Sequence, residues 1–174
     1  NYSSSAGAPI FIGGGSGESY TFNGETFDVP AGPSAGSSGQ VGILIQNKSL
    51  KSGVGDRRIR GVQRTSTAQN AANIYNADIS ATSGTIDIQG TGEISSRRGL
   101  TIEQGSNIQV TSGTINLGGS ILWNTGWSAL GIEDSSVSAT TGTINIASTN
   151  SSDLDSSYTG VNFSNALITN GSGE

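Results

Sequence analysis

The chain has 174 residues, a formal net charge of −5, only 12% charged residues, and no Cys, Met or His. That length makes one domain, and the missing Cys and His exclude a disulfide framework, thiolate chemistry, a Ser-His-Asp triad and His-ligated zinc. Gly, Ser, Thr and Asn make up half of the residues and no apolar run reaches about 18, so a helical bundle and a bilayer-spanning helix are excluded too.

Residues 1–71 show no 29-residue repeat and are expected to form either an N-terminal β extension or cap, open to inter-subunit contact, or a set of coils degenerate in sequence. The chain opens on Asn1-Tyr2-Ser3 rather than Met, which reads as a processed or excised product. A first apolar patch, Ile10-Phe11-Ile12, stands among Gly and Ser. The run Gly13 to Gly17 lacks the Gly-Lys-Ser/Thr ending of a phosphate loop, so it reads as a linker. Asn23-Gly24 between Ser19–Phe22 and Glu25–Val29 predicts a β-hairpin. Residues 31–40 read as a loop, Val41–Gln46 as a strand, Asn47-Lys48 as a turn, and Gly53 to Arg64 as irregular.

Residues 72–174 repeat. Gly84-Thr85-Ile86-Asp87-Ile88, Gly113-Thr114-Ile115-Asn116-Leu117 and Gly142-Thr143-Ile144-Asn145-Ile146 are spaced by 29 residues and 29 again. Ile79, Ile108 and Val137 keep that register, as do Ala81, Val110 and Ala139. A looser element, Ile74 to Ile79, returns at Ile132 to Val137 and at Phe163 to Ile168, and at Ile102 to Ile108 with one extra residue. The segments alternate polar and apolar residues at period two, the signature of strands. Three short strands per coil bury nothing alone, but stacked coils enclose a narrow apolar column. The expected fold is therefore an all-β, parallel, right-handed β-helix with coils of about 29 residues. Its outer registers, Thr85/Thr114/Thr143 and Asp87/Asn116/Asn145, are expected to form side-chain ladders.

Between two repeat strands, Trp123 and Trp127 are a candidate platform for a sugar or a protein, set against plain packing over the solenoid face. Asp153 and Asp155 are a weak calcium candidate, set against a solvated loop. No acidic cluster recurs from coil to coil as a glycosidase cleft requires. All eight basic residues lie between Lys48 and Arg98; that stretch carries +4, residues 99–174 carry −6 and residues 1–47 carry −3. Arg57, Arg58, Arg60 and Arg64 therefore form a basic band near one end of the solenoid, and the other end is acidic. Contact between those ends in successive copies is one reading, and pairing of Arg57 to Arg64 with the acids of residues 1–30 of the same chain is the other. The overall negative charge argues against nucleic acid as a partner.

The Gly-Thr-Ile-Asn-Ile strands, with Asn-Ile-x-Val and short Gly/Ser turns over about residues 72–170, resemble the shafts of filamentous-haemagglutinin-like exoproteins. That resemblance implies a secreted or surface-displayed β-helix serving in adhesion, with no catalytic residues to carry over; the family's usual coil is shorter than 29 residues. The residues themselves point to a non-enzymatic, extracellular structural protein without cofactor or membrane insertion. Its expected partner is itself, in a head-to-tail filament; a segment of a large adhesin shaft that meets a cell-surface receptor or glycan is the alternative, and a polysaccharide lyase or hydrolase a third. The expected assembly residues are Ile10, Phe11 and Ile12, the four arginines above, and Val161, Phe163 and Ile168 on a C-terminal coil without a sequence cap.

Overall fold

The structure, a computed structural model, describes residues 2–4, 10–12, 18–22, 25–29, 41–63, 70–92, 98–122, 128–150 and 160–171. The described elements are strands throughout. They are β1 (Tyr2–Ser4), β2 (Ile10–Ile12), β3 (Glu18–Phe22), β4 (Glu25–Val29), β5 (Ile43–Gln46), β6 (Ser49–Ser52), β7 (Arg57–Gln63), β8 (Ala72–Tyr75), β9 (Asp78–Ala81), β10 (Thr85–Gly92), β11 (Leu100–Glu103), β12 (Asn107–Ile121), β13 (Leu130–Glu133), β14 (Ser136–Asn150), β15 (Val161–Ser164) and β16 (Leu167–Asn170). β3 and β4 form the hairpin that Asn23-Gly24 predicts, with Tyr20 opposite Phe27.

All other pairings are parallel, and they build a β-solenoid of about four turns. Each coil contributes a short first strand, a tight corner, a second strand, a glycine bend and a third strand. The first strands make one five-stranded sheet, β15-β13-β11-β8-β5. The second and third strands make a nine-stranded sheet, and in β12 and β14 they merge across the bend. On the third strand the register keeps its 29-residue step from Ile59 to Ile88 to Leu117 to Ile146.

The period-two alternation settles which side chains go inside. Ile86, Ile88, Ile115 and Leu117 are fully buried in two adjoining columns, with Ile144 and Ile146 half-buried at the end. Ile79, Ile108 and Val137 fill a third column, and Ile45, Ile74, Ile102 and Ile132 a fourth. Stacking identical branched side chains at the strand spacing of about 4.8 Å fills the narrow interior without a second layer.

The repeated glycine has a steric cause. A Cβ on Gly113 would stand 2.1 Å from the Gly84 carbonyl oxygen, and one on Gly142 would stand 2.2 Å from that of Gly113. Gly84 and Gly113 also have φ of +95° and +131°. At this bend each backbone rests on the one below, in space that any side chain would fill.

The solenoid begins earlier than the repeat does. β5, β6 and β7 pair with β8, β9 and β10 in the same 29-residue register, so residues 43–63 form a full coil and residue 71 marks no break in the ladder. Gly55 lies beneath Gly84, extending the glycine column, and a Cβ on Gly84 would meet its carbonyl oxygen at 2.7 Å. Of the irregular stretch expected at Gly53–Arg64, residues 53–63 are thus the bend and third strand of a coil. Its rung is disguised because Arg57 occupies the place that Ile86 holds one coil on. Below this coil lie β1, paired with β6, and β2, paired with β7.

Candidate functional site

With the faces tied in ladders, the open backbone of the described structure lies at the ends of the stack. At the C-terminal end β15 lies on β13 and β16 on the first half of β14. The last rung bond there runs from the Gly171 N–H to the Ala139 carbonyl. Beyond it, the outer edge of residues 143–150 carries no strand among the described residues. The apolar columns surface at the same place: Phe163 is 52% exposed, Leu167 61% and Ile168 37%. Val161, Ile144 and Ile146 are half-buried. Val161, Phe163 and Ile168 lie on the last described coil, in register with Leu130, Ile132 and Val137.

The N-terminal end has a different profile. β1 and β2 underlie the second and third strands of the first coil. β5 pairs with β8 and has no strand beneath it among the described residues. Ile10 is buried opposite Arg57, and Ile12, half-buried, lies opposite Ile59. Phe11 lies between them on β2, opposite Arg58.

The basic residues divide. Arg58 Nε is 3.6 Å and Arg60 Nη2 3.8 Å from Oδ2 of Asp87, one coil up. The arginine cluster is therefore paired within the chain at these two positions. Arg57 points the other way, into the column of Ile10 and Ile86, and is only 1% exposed. Its Nη1 donates to the Gly55 carbonyl oxygen at 2.8 Å, while Nε and Nη2 have no partner. Burial draws its pKa below the usual arginine value, and the neighbouring Asp56 carboxylate opposes that shift. Arg64, Trp123, Trp127, Asp153 and Asp155 lie outside the described residues.

The six carboxylates with described side chains each bridge neighbouring coils. Asp56 accepts from the Thr85 N–H at 2.9 Å, where the glycine bend interrupts the regular ladder. Asp78 accepts from Asn107 at 3.0 Å and meets Lys51 at 3.2 Å. Asp87 takes the two arginines and the Gln89 amide. Glu103 accepts from Asn73, Glu133 from Arg98 and Asn162, and Asp134 from Asn165. The guanidinium of Arg98 crosses the face of Gly131, where a Cβ would stand 2.4 Å from its Nη1. Of the expected outer ladder, Asn145 donates to Asn116 at 2.8 Å, whereas Asp87 turns to the arginines.

Recesses mark the faces among the described residues. One of about 230 Å³ is lined by Gln89, Thr91, Ser120, Ala147, Thr149 and backbone glycines, none of them ionisable. Another, about 140 Å³, is lined by Asp56, Arg57, Arg58, Thr85, Asp87 and Asn116, whose charges largely cancel. Among the described residues no three His, Cys, Asp or Glu side chains gather to hold a metal, and no helix is long and apolar enough to cross a membrane.

A buried pair of hydroxyls escaped the sequence reading. Ser106 bonds Ala77 N and the Ile74 carbonyl below it, and its own N–H donates to Ser135 one coil up. The only signal was their shared register with Ala77. No protein-family model, curated protein or solved structure matches this chain.

Proposed function

We propose that this chain is a non-enzymatic extracellular structural protein, a β-solenoid subunit that joins end to end into a filament. The observation that carries the reading is the C-terminal end, where the edge at 143–150 has no partner strand among the described residues and stands beside exposed Phe163, Leu167 and Ile168. An edge of this kind recruits further strands unless it is blocked by charge, proline or a covering loop. The described edge residues Thr143–Thr149 include no charged side chain and no proline. The charge layout favours one polarity of joining, basic end to acidic end.

The described carboxylates support the non-enzymatic part of the reading. Each is engaged with a neighbouring coil, whereas a general acid or nucleophile needs a carboxylate free to face substrate. The Lys-poor, Ser/Thr/Asn-rich composition supports the extracellular part. The same open edge equally suits a further coil of a longer adhesin shaft that carries a receptor- or glycan-binding site.

Light scattering and electron microscopy of the purified 174-residue chain test the reading. Unbranched filaments that lengthen with concentration are expected. A monomer at every concentration excludes the filament and leaves the shaft reading.

A further inference from the structure

The two ends of the solenoid are offset in complementary ways. The C-terminal end has a first strand, β15, and a second strand, β16, in its last layer, and the third-strand position above residues 143–150 is vacant among the described residues. The N-terminal end has a second strand, β1, and a third strand, β2, in its lowest layer, and the first-strand position beneath β5 is vacant among the described residues. Set one copy on another and β2 drops into the vacancy above residues 143–150. In the same movement β15 meets the free edge of β5.

We propose that this is the joint between copies: Ile10-Phe11-Ile12 of one copy forms the missing rung over Ile144-Asn145-Ile146 of the next, and β5 pairs over β15. The inference rests on the filament reading and adds the identity and register of the contact. It moves the acceptor from the Val161–Ile168 coil, where the sequence pointed, to the far half of β14.

Register is what makes β2 the donor. In its own chain Ile10 stands in the column of Ile86 and Ile115, and Ile12 in that of Ile88 and Leu117. Ile10 and Ile12 therefore take the two core places of the same pattern, and translation by one solenoid length sets Ile10 on Ile144 and Ile12 on Ile146. These are the third-strand core residues of β14, and their own chain leaves both half-covered. Parallel strand addition gives them a full column and supplies the edge with main-chain hydrogen bonds.

Charge agrees with this direction. Residues 1–47 carry −3 and residues 48–98 +4, so the donor half nets +1 against −6 for residues 99–174, with Lys51, Arg58 and Arg60 already paired to Asp78 and Asp87. The fit also requires one strand to leave, because β1 of the incoming copy and β16 of the receiving copy claim the same second-strand place. β1 yields. It pairs over three residues, whereas β16 pairs over four. β16 is also held by a short corner in which Asn165 bonds Asp134 at 2.8 Å and Ala166 packs on the core.

The chain has no cysteine, so engineered pairs report without background. Two double variants are made: Phe11→Cys with Asn145→Cys, and Leu44→Cys with Asn162→Cys. Within one chain each pair is four coils apart, about 19 Å at the strand spacing, too far for a disulfide. Across the proposed joint each pair is directly opposite. Under mild oxidation both double variants are expected to give a ladder of multiples of the chain mass on a non-reducing gel, while the single variants stop at dimers. Removing residues 1–4 is expected to leave assembly intact or faster, and removing residues 1–12 to abolish it. Filaments that form while the Phe11/Asn145 pair gives no ladder overturn this joint and leave the filament reading standing. A wild-type chain that never assembles removes the filament reading, and the joint with it.

Discussion

Arg57 is the residue whose behaviour least resembles its neighbours'. It sits in an isoleucine column with two guanidinium nitrogens unpartnered, so it carries the desolvation cost of a charge with little in return. Arg57→Met is therefore expected to leave the melting temperature unchanged or raise it, and a fall of several degrees contradicts the assignment. Gly113 is the opposite case. Its φ of +131° and the 2.1 Å approach of the Gly84 carbonyl make Gly113→Ala cost about 3 kcal/mol or more, read as a loss of midpoint in a urea titration. The inward and outward assignment has its own paired test. Ile115→Asp buries an unpaired carboxyl in a fully closed column and is expected to cost more than about 4 kcal/mol. Thr114→Ser on the outer side should stay within about 0.5 kcal/mol. Equal shifts for the two would reverse the assignment.

Among the elements, the corner between first and second strands shows how far sequence alone reaches. Asn47, Asn76, Gln104, Asp134 and Asn165 all adopt positive φ there, between 46° and 58°. Asn and Asp tolerate that conformation, and Asn76 and Asn165 each bond the residue one coil below, Asn47 and Asp134. The extra residue visible at Ile102–Ile108 is taken up here, by Gln104 and Gly105 both at positive φ. Asn76→Gly is expected to change stability by a few tenths of a kcal/mol, because lost side-chain bonding is offset by easier backbone geometry. Asn76→Val, β-branched at positive φ, is expected to cost about 1–2 kcal/mol in the same denaturation assay. The strands and their register were legible because period two and the 29-residue step both survive wherever isoleucine fills the rung. The first coil stayed open between a cap and a degenerate coil, since Arg57 breaks the Gly-Thr-Ile rung although Ile45, Gly55 and Ile59 keep the 29-residue step. Nor was the pairing of Arg58 and Arg60 with Asp87, which needs knowledge that residue 58 lies beneath residue 87. The open rung over residues 143–150 was beyond the sequence for the same reason: it is a property of layers, and layers appear only once the strands are stacked.

For the molecule as a whole, stability follows position along the axis. In a stack where each coil touches only its neighbours, central coils are held from two sides and end coils from one. β12 lies between β9 and β10 on one side and β14 on the other, whereas β16 pairs with β14 alone and its four side chains are all exposed. Amide exchange in the monomer is therefore expected to be slowest in β10 and β12 and to quicken toward β15 and β16. Joining changes that gradient in a way that separates the two contributions to the contact. Strand addition protects the free amides of residues 143–150, and this protection should survive 1 M salt, where the screening length falls to about 3 Å. The attraction between the basic band and the acidic end acts at longer range, so salt should slow the approach of copies while leaving the completed joint protected. Hydrogen exchange on filaments formed at low salt and then moved to high salt reads both at once. Protection at 143–150 that vanishes with salt would mean that charge alone holds the ends together; protection that persists, with slower growth, fits a rung added to the ladder.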